Sequence, residues 1–194
     1  MKVIAVNGSA RRDGNTALLI RTVCEALEDS AIETELVQLA GQPLRGCLAC
    51  MKCWEKQDRR CVIENDCVNQ VLSAMSQADA VILGSPTYFA DVSAEMKAFI
   101  DRTGMVARAN GNLLRRKVGA GVVAVRRGGS MHALQTLQNY FLINEMVIPG
   151  SSYWNVAFGR NIGEVAEDAE GIATMRRLGE NMAWLIDKIH AGPS

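Results

Sequence analysis

Short apolar runs alternate with stretches whose apolar residues recur every three to four positions, from one end of the chain to the other. Val3-Ile4-Ala5-Val6 closes a first predicted strand at about Lys2–Val6. Leu19, Ile20, Val23, Cys24 and Leu27 then fall on one face of a helix over about Thr16–Asp29. Glu33–Leu39 alternates polar with apolar residues, as a strand near a sheet edge does. Further on, the pattern predicts a helix at about Asp66–Ser76 opened by Asp66 as a cap, a buried strand at Ala80–Leu83, and a helix at Ser93–Arg102. Val118–Val125 reads as a long strand interrupted by glycines, Met131–Asn144 as a helix, and Val165–His190 as the last helix. A fifth strand is expected near Met146–Ile148 or Tyr153–Val156. Strands alternating with helices predict a parallel sheet covered on both faces, an α/β class. Five strands in this order fit an open three-layer αβα sandwich better than a barrel or a β-sandwich.

The pattern breaks between Ala40 and Asn65, a connection far longer than the usual ~2–6 residues of such folds. This excess leaves the carboxyl end of the second strand, the rim where open α/β sheets bind ligands. It holds Cys47-x-x-Cys50-x-x-Cys53 and, after seven further residues, Cys61. Two thiolates at C-x-x-C spacing can reach one centre, a third lets a compact loop wrap it, and a fourth closes it. An iron–sulfur cluster, a four-cysteine zinc site, a reactive dithiol or regulatory disulfide, and metal-free thiols are the readings this spacing leaves open. The paired knuckles usual for zinc are not obvious here. Arg45, Lys52, Lys56, Arg59 and Arg60 lie nearby and would either offset an anionic centre or keep the loop solvated. Trp54 would shield such a centre or simply pack. Cys24 belongs to the apolar face of the first helix; Cys67 opens a helix, where the dipole would lower its thiol pKa and where it could stand in for Cys61.

Composition narrows the class. The 194 residues carry 21 Lys plus Arg against 21 Asp plus Glu, so no bulk field draws the protein to nucleic acid or a membrane. No apolar run approaches the ~20 residues needed to span a bilayer, and no signal-peptide layout precedes the first strand. The expectation is one cytoplasmic domain over 1–194 with a cysteine-rich insertion at about 40–65, in a compartment where clustered cysteines favour metal or redox chemistry.

Three loops at the carboxyl ends of strands carry candidate binding chemistry. Gly8-Ser9-Ala10-Arg11-Arg12-Asp13-Gly14-Asn15-Thr16 joins the first strand to the first helix, whose N-terminus offers unpaired N–H groups and a positive dipole end. Ser9 and Thr16 add hydroxyls, Asn15 an amide and Arg11 a guanidinium for a phosphate. It is neither a Walker loop nor G-x-G-x-x-G, and no acid follows the second strand to hold an adenine ribose, so a mononucleotide fits better than a dinucleotide. Pro86-Thr87-Tyr88-Phe89 follows the third strand, with backbone amides for the edge of a heteroaromatic ring and aromatics for its face. Arg127-Gly128-Gly129-Ser130 follows the fourth, where glycines allow close approach. No Ser-His-Asp set and no paired carboxylates accompany these loops, His132 and His190 stand alone, and Asp101 with Arg102 reads as a structural pair or as packing between subunits ahead of a catalytic role.

Gly-Ser-x-Arg-x-x-x-Asn-Thr at Gly8–Thr16, Ser-Pro-x-Tyr-Phe at Ser85–Phe89 and Lys97-Ala-Phe-Ile-Asp-Arg102 together resemble the NADPH-dependent FMN reductase-like branch of the flavodoxin-like flavoproteins. With Cys-x2-Cys-x2-Cys-x7-Cys added, the chain resembles the iron–sulfur flavoproteins of anaerobic prokaryotes, over about Met1–Ser130. The resemblance implies a flavodoxin-like fold with FMN phosphate at Ser9, Arg11, Asn15 and Thr16, and the isoalloxazine at Pro86, Thr87, Tyr88, Phe89, Gly128 and Gly129. It implies a [4Fe–4S] cluster on Cys47, Cys50, Cys53 and Cys61. It also implies a homodimer or a tetramer of dimers. The expected activity is that of an FMN-dependent oxidoreductase exchanging electrons with ferredoxin or with a small-molecule donor or acceptor such as NAD(P)H, a quinone or an oxygen species. Two rivals remain: an NAD(P)H-dependent FMN or quinone reductase without a cluster, and a non-enzymatic electron carrier or flavin redox sensor.

Overall fold

A computed structural model of the chain describes residues 1–191. Its elements run β1 (Lys2–Asn7), α1 (Asn15–Glu28), β2 (Glu33–Gln38), α2 (Lys52–Lys56), α3 (Val68–Gln77) and β3 (Ala80–Pro86). They continue with α4 (Ala94–Ala109), β4 (Val118–Val125), α5 (Ser130–Ile143), β5 (Val156–Phe158), a 3-10 turn (Glu164–Glu167) and α6 (Ala169–His190). The five strands pair in parallel in the order β2-β1-β3-β4-β5. The order reverses at β1, the point at which open α/β sheets form a ligand crevice.

Alternation along the strands supplies both core layers. Ile4, Val6, Val81, Leu83 and Val123 face one way and meet Val71 and Met75 of α3, Met96 and Phe99 of α4, and Leu134, Leu137 and Phe141 of α5. Val3, Ala5, Ile82, Ala120 and Val122 face the other and meet Leu19, Ile20 and Val23 of α1 and Met175, Leu178 and Met182 of α6. Strands buried on both faces read as continuous apolar runs, which is why β3 and β4 stood out. β2 occupies the edge and is largely exposed, as its polar alternation required.

Helices α1 and α6 pack closely at Gly179, where an added Cβ would stand 2.6 Å from the Val23 carbonyl oxygen and 2.7 Å from the Ala26 Cβ. Gly179→Ala gains about 1 kcal/mol of helix propensity but overpacks a backbone contact at about 1–3 kcal/mol. A net loss of up to about 2 kcal/mol, read as a fall of up to roughly 8 °C in a thermal melt, is the expected result.

Four expectations are corrected. The fifth strand is Val156–Phe158, overlapping Tyr153–Val156 at one residue, while Val147 makes only an isolated bridge to Val118. Asp66 lies before α3 and accepts from the Val68 amide at 3.1 Å, and α4 runs on past Arg102 to Ala109. Asp101 does not pair with Arg102: it accepts from Lys97 Nζ at 2.6 Å, while Arg102 crosses to Asp66.

Candidate functional site

The loop after β1 is shaped by a small amide network. The Asn7 side chain donates to Gln38 Oε1 at 2.7 Å and accepts from the Ser9 amide at 3.0 Å, while Gln38 donates to the Ser9 carbonyl at 2.7 Å. Ser93, the cap of α4, donates to the Gly8 carbonyl at 2.6 Å and accepts from the Met96 amide. Its own amide donates to Ser85 Oγ at 2.9 Å, so one serine joins the first loop, the end of β3 and α4.

These loops enclose a cleft lined by Ser9, Arg11, Asn15, Thr16, Pro86, Thr87, Tyr88, Ala124, Arg126, Gly159 and Arg160. Three guanidinium groups and no carboxylate line it, a charge balance suited to a phosphate. Residue Gly14 opens α1 without a side-chain cap, which leaves first-turn N–H groups for a ligand. The Thr87 hydroxyl is buried without a hydrogen-bond partner. The donor-rich tail end and this orphaned hydroxyl fit a phosphorylated flavin.

The remaining ring-loop residues are placed less uniformly. The Thr87 amide donates to the Ala124 carbonyl and the Tyr88 amide to the Asp91 carbonyl, so neither is free for a ring edge, whereas the Phe89 amide has no internal partner. Phe89 and Ala90 carry φ of 45° and 68°, a tight turn that leaves the Phe89 side chain wholly in solvent rather than on the cleft. Residue Gly129, at φ 87°, lies against that turn, where an added Cβ would stand 2.9 Å from the Ala90 Cα. Gly128 does not line the cleft. Asn15 does, but its amide nitrogen donates to the Asn161 carbonyl at 2.9 Å and its oxygen accepts from the Gly163 amide at 2.9 Å. It fastens the loop after β5 across the mouth of α1. That loop supplies Gly159 and Arg160, unseen in the sequence because β5 was placed too early. Arg126, directly after the apolar β4, was legible as a charge ending a buried strand.

Cys47, Cys50, Cys53 and Cys61 line a second cavity, with Leu48, Ala49, Met51, Val62, Ile63, Met105 and Val106 as its apolar walls; Cys47 and Cys50 are exposed, and Cys53 and Cys61 are half-buried. Among the described residues, only Arg102 is both charged and part of those walls. α2 carries Cys53, flanked by Met51 and Gln57 in the left-handed region at φ 58° and 50°. Asn69 holds Cys61 in a two-way clamp: its oxygen accepts from the Cys61 amide at 2.7 Å and its nitrogen donates to the Cys61 carbonyl at 2.9 Å. Burial pushes the Cys53 thiol upward, with Cys47 and Cys50 adding to the rise. Burial also raises Cys67, against the expected helix-dipole effect, and Cys67 stays outside the cavity. Cys24 is in the core and is pushed up to about 11 by burial. Trp54 is exposed and does not wall the cavity.

Among the described residues, no three His, Cys, Asp or Glu side chains converge closely enough to hold a metal ion. Four thiols around one apolar cavity fit the donor set of a polynuclear iron–sulfur group, which spaces its ligands around an inorganic core. Arg102 and Asp66 beside it are wholly buried and paired, and Arg102 Nη2 also donates to the Ile63 carbonyl at 3.0 Å. Desolvation alone would lower the Arg102 pKa; the Asp66 carboxylate, with a further contribution from nearby Cys61, outweighs it, and the net shift is upward.

α4 connects the two places. Ser93 at its start bonds the first loop, and Arg102, nine residues or about 14 Å along the axis, walls the cysteine cavity.

A family model described as NADPH-dependent FMN reductase matches residues 1–161. An iron–sulfur flavoprotein of Methanocaldococcus jannaschii is 38% identical over 196 residues, spanning 97% of this chain and 99% of that protein. A WrbA-like flavodoxin of Agrobacterium tumefaciens shares the fold at a TM-score of 0.65 and 17% identity, covering 96% of this chain and 97% of the other. So does an NAD(P)H:quinone oxidoreductase of Methanothermobacter marburgensis, at 0.68 and 14%, covering 94% and 96%. Among the described residues no helix is long and apolar enough to cross a membrane.

Proposed function

The chain belongs to the NADPH-dependent FMN reductase family and is an FMN-binding oxidoreductase; we propose that it is an iron–sulfur flavoprotein, passing electrons between FMN and a [4Fe–4S] cluster. One observation carries the finer reading: four cysteines from two separate segments line one apolar pocket, Cys53 and Cys61 half-buried and Cys47 and Cys50 at its exposed rim. Four thiols gathered around one pocket are the ligand set a cluster needs.

Arg11, Ser9, Thr16 and the open N-terminus of α1 hold the phosphate, and Arg126 and Arg160 add positive charge to the same cleft. Pro86 and Tyr88 shape the wall for the ring, and the buried Thr87 hydroxyl donates to it. Asn15 and Ser93 set the loops. Bound there, the flavin accepts electrons in pairs and releases them singly, and the protein supplies orientation and charge. The donor or acceptor is a small molecule such as NAD(P)H or a quinone, or ferredoxin, and the work is cytoplasmic. Exposed Leu142 and Ile143, beside an apolar groove between α4 and α5, support assembly as a homodimer or homotetramer.

Anaerobically reconstituted protein is expected to hold one FMN with roughly four iron and four sulfide per chain. Full FMN without iron would overturn the cluster in favour of a plain NAD(P)H-dependent reductase. Stopped-flow bleaching by NADPH against reduced ferredoxin separates an enzyme using nicotinamide from a carrier. Arg11→Ala removes a charge-assisted hydrogen bond and is expected to weaken FMN binding by roughly 10- to 100-fold, measured by flavin fluorescence titration.

A further inference from the structure

We infer that Arg102 is a positioning residue for the cysteine-held group: its buried guanidinium anchors the Cys61 loop and favours the reduced charge state in the cavity. The inference rests on the cluster reading. Arg102 projects from α4 with its side chain fully buried, a costly place for a cation unless something nearby uses the charge. Two of its nitrogens are committed to one segment, between Cys61 and α3. Nη1 pairs with Asp66 Oδ2, and Nη2 donates to Asp66 Oδ1 at 3.2 Å and to the Ile63 carbonyl at 3.0 Å. The third nitrogen, Nε, is buried with no partner. That orphaned donor sits on the one charged side chain among the described residues that walls the cavity. A thiolate or inorganic sulfide within the cavity would satisfy it.

The charge has a definite sign of action. Reduction adds one electron beside the fully buried Arg102 guanidinium, whose charge water screens little. Arg102 therefore favours reduction, and Asp66 behind it partly cancels that effect. A purely structural pair predicts that losing either partner destabilises the fold alike and leaves the electron affinity unchanged. A tuning pair predicts opposite signs.

The test is an anaerobic redox titration, followed by electron paramagnetic resonance, of full-length reconstituted protein carrying Arg102→Gln, Arg102→Lys or Asp66→Asn. Arg102→Gln is expected to lower the reduced-to-oxidised ratio at a fixed potential by about tenfold, or 59 mV for a one-electron couple. Asp66→Asn is expected to raise that ratio, and Arg102→Lys, which keeps the charge, to recover most of the loss. If Arg102→Gln does not fold, the direction for Asp66→Asn decides. Ratios unmoved in iron-replete variants, or a fall in Asp66→Asn, would overturn the role of Arg102 and spare the cluster. Wild-type protein that takes up no iron would sink both.

Discussion

Cys53→Ser is expected to cut bound iron from roughly four atoms per chain to less than one, while FMN stays bound at full occupancy. Serine is a poor ligand for iron at neutral pH, because its hydroxyl does not ionise as a thiol does. Cys53 sits on α2, at the end of the C-x-x-C-x-x-C run, with left-handed turns on either side that fix where its sulfur lies. The other three cysteines cannot close the cavity without it. The flavin cleft draws on the ends of β1, β3, β4 and β5 and shares no residue with the cysteine cavity, so its occupancy is independent. Iron and acid-labile sulfide assays beside the flavin absorbance read both sites in one preparation. Cys67→Ser, outside the cavity, should leave iron unchanged. Iron retained in Cys53→Ser, or lost in Cys67→Ser, would refute the ligand assignment.

The sequence exposed those parts of the molecule whose cause is local. Strand β4 is a run of eight buried residues, helix α1 a clean 3.6-residue stripe, and the cysteines a fixed spacing, all readable without tertiary information. β5 was not readable, because two short apolar stretches compete after α5. Only pairing selects Val156–Phe158, which lies against Val123–Val125, whereas Val147 reaches β4 at Val118 alone. Arg160 was lost with it. Arg11, Ser9 and Thr16 line the cleft as their types suggested, but Asn15 spends its amide on a loop about 150 residues away, a tie no spacing reveals. The same holds for Arg102. Its neighbour Asp101 looks like a partner in sequence, yet adjacent helical residues do not face each other, and Asp101 meets Lys97 one turn back. The true partner lies 36 positions away.

That long-range pair sets the largest expected loss of stability. Arg102→Ala leaves the Asp66 carboxylate buried without its cation, and breaking a buried ion pair in this way costs about 3–5 kcal/mol. Against a total of about 5–15 kcal/mol for a domain, that is a large share. The loss should be local first: Asp66 and the Ile63 carbonyl both belong to the segment leading from Cys61 into α3, so amide exchange there should quicken more than in β3 or β4. Replacing both partners with apolar side chains, Arg102→Met with Asp66→Leu, removes the stranded charge along with the pair. Because such swaps are often neutral or stabilising, the double variant should regain most of the stability lost in Arg102→Ala. Urea unfolding of the wild type, Arg102→Ala and the double variant measures this, with FMN held saturating so that ligand linkage is constant. Recovery of stability without recovery of the wild-type cluster potential would show that the pair is kept for its charge beside the cysteines; recovery of both would show a fold clamp and nothing more.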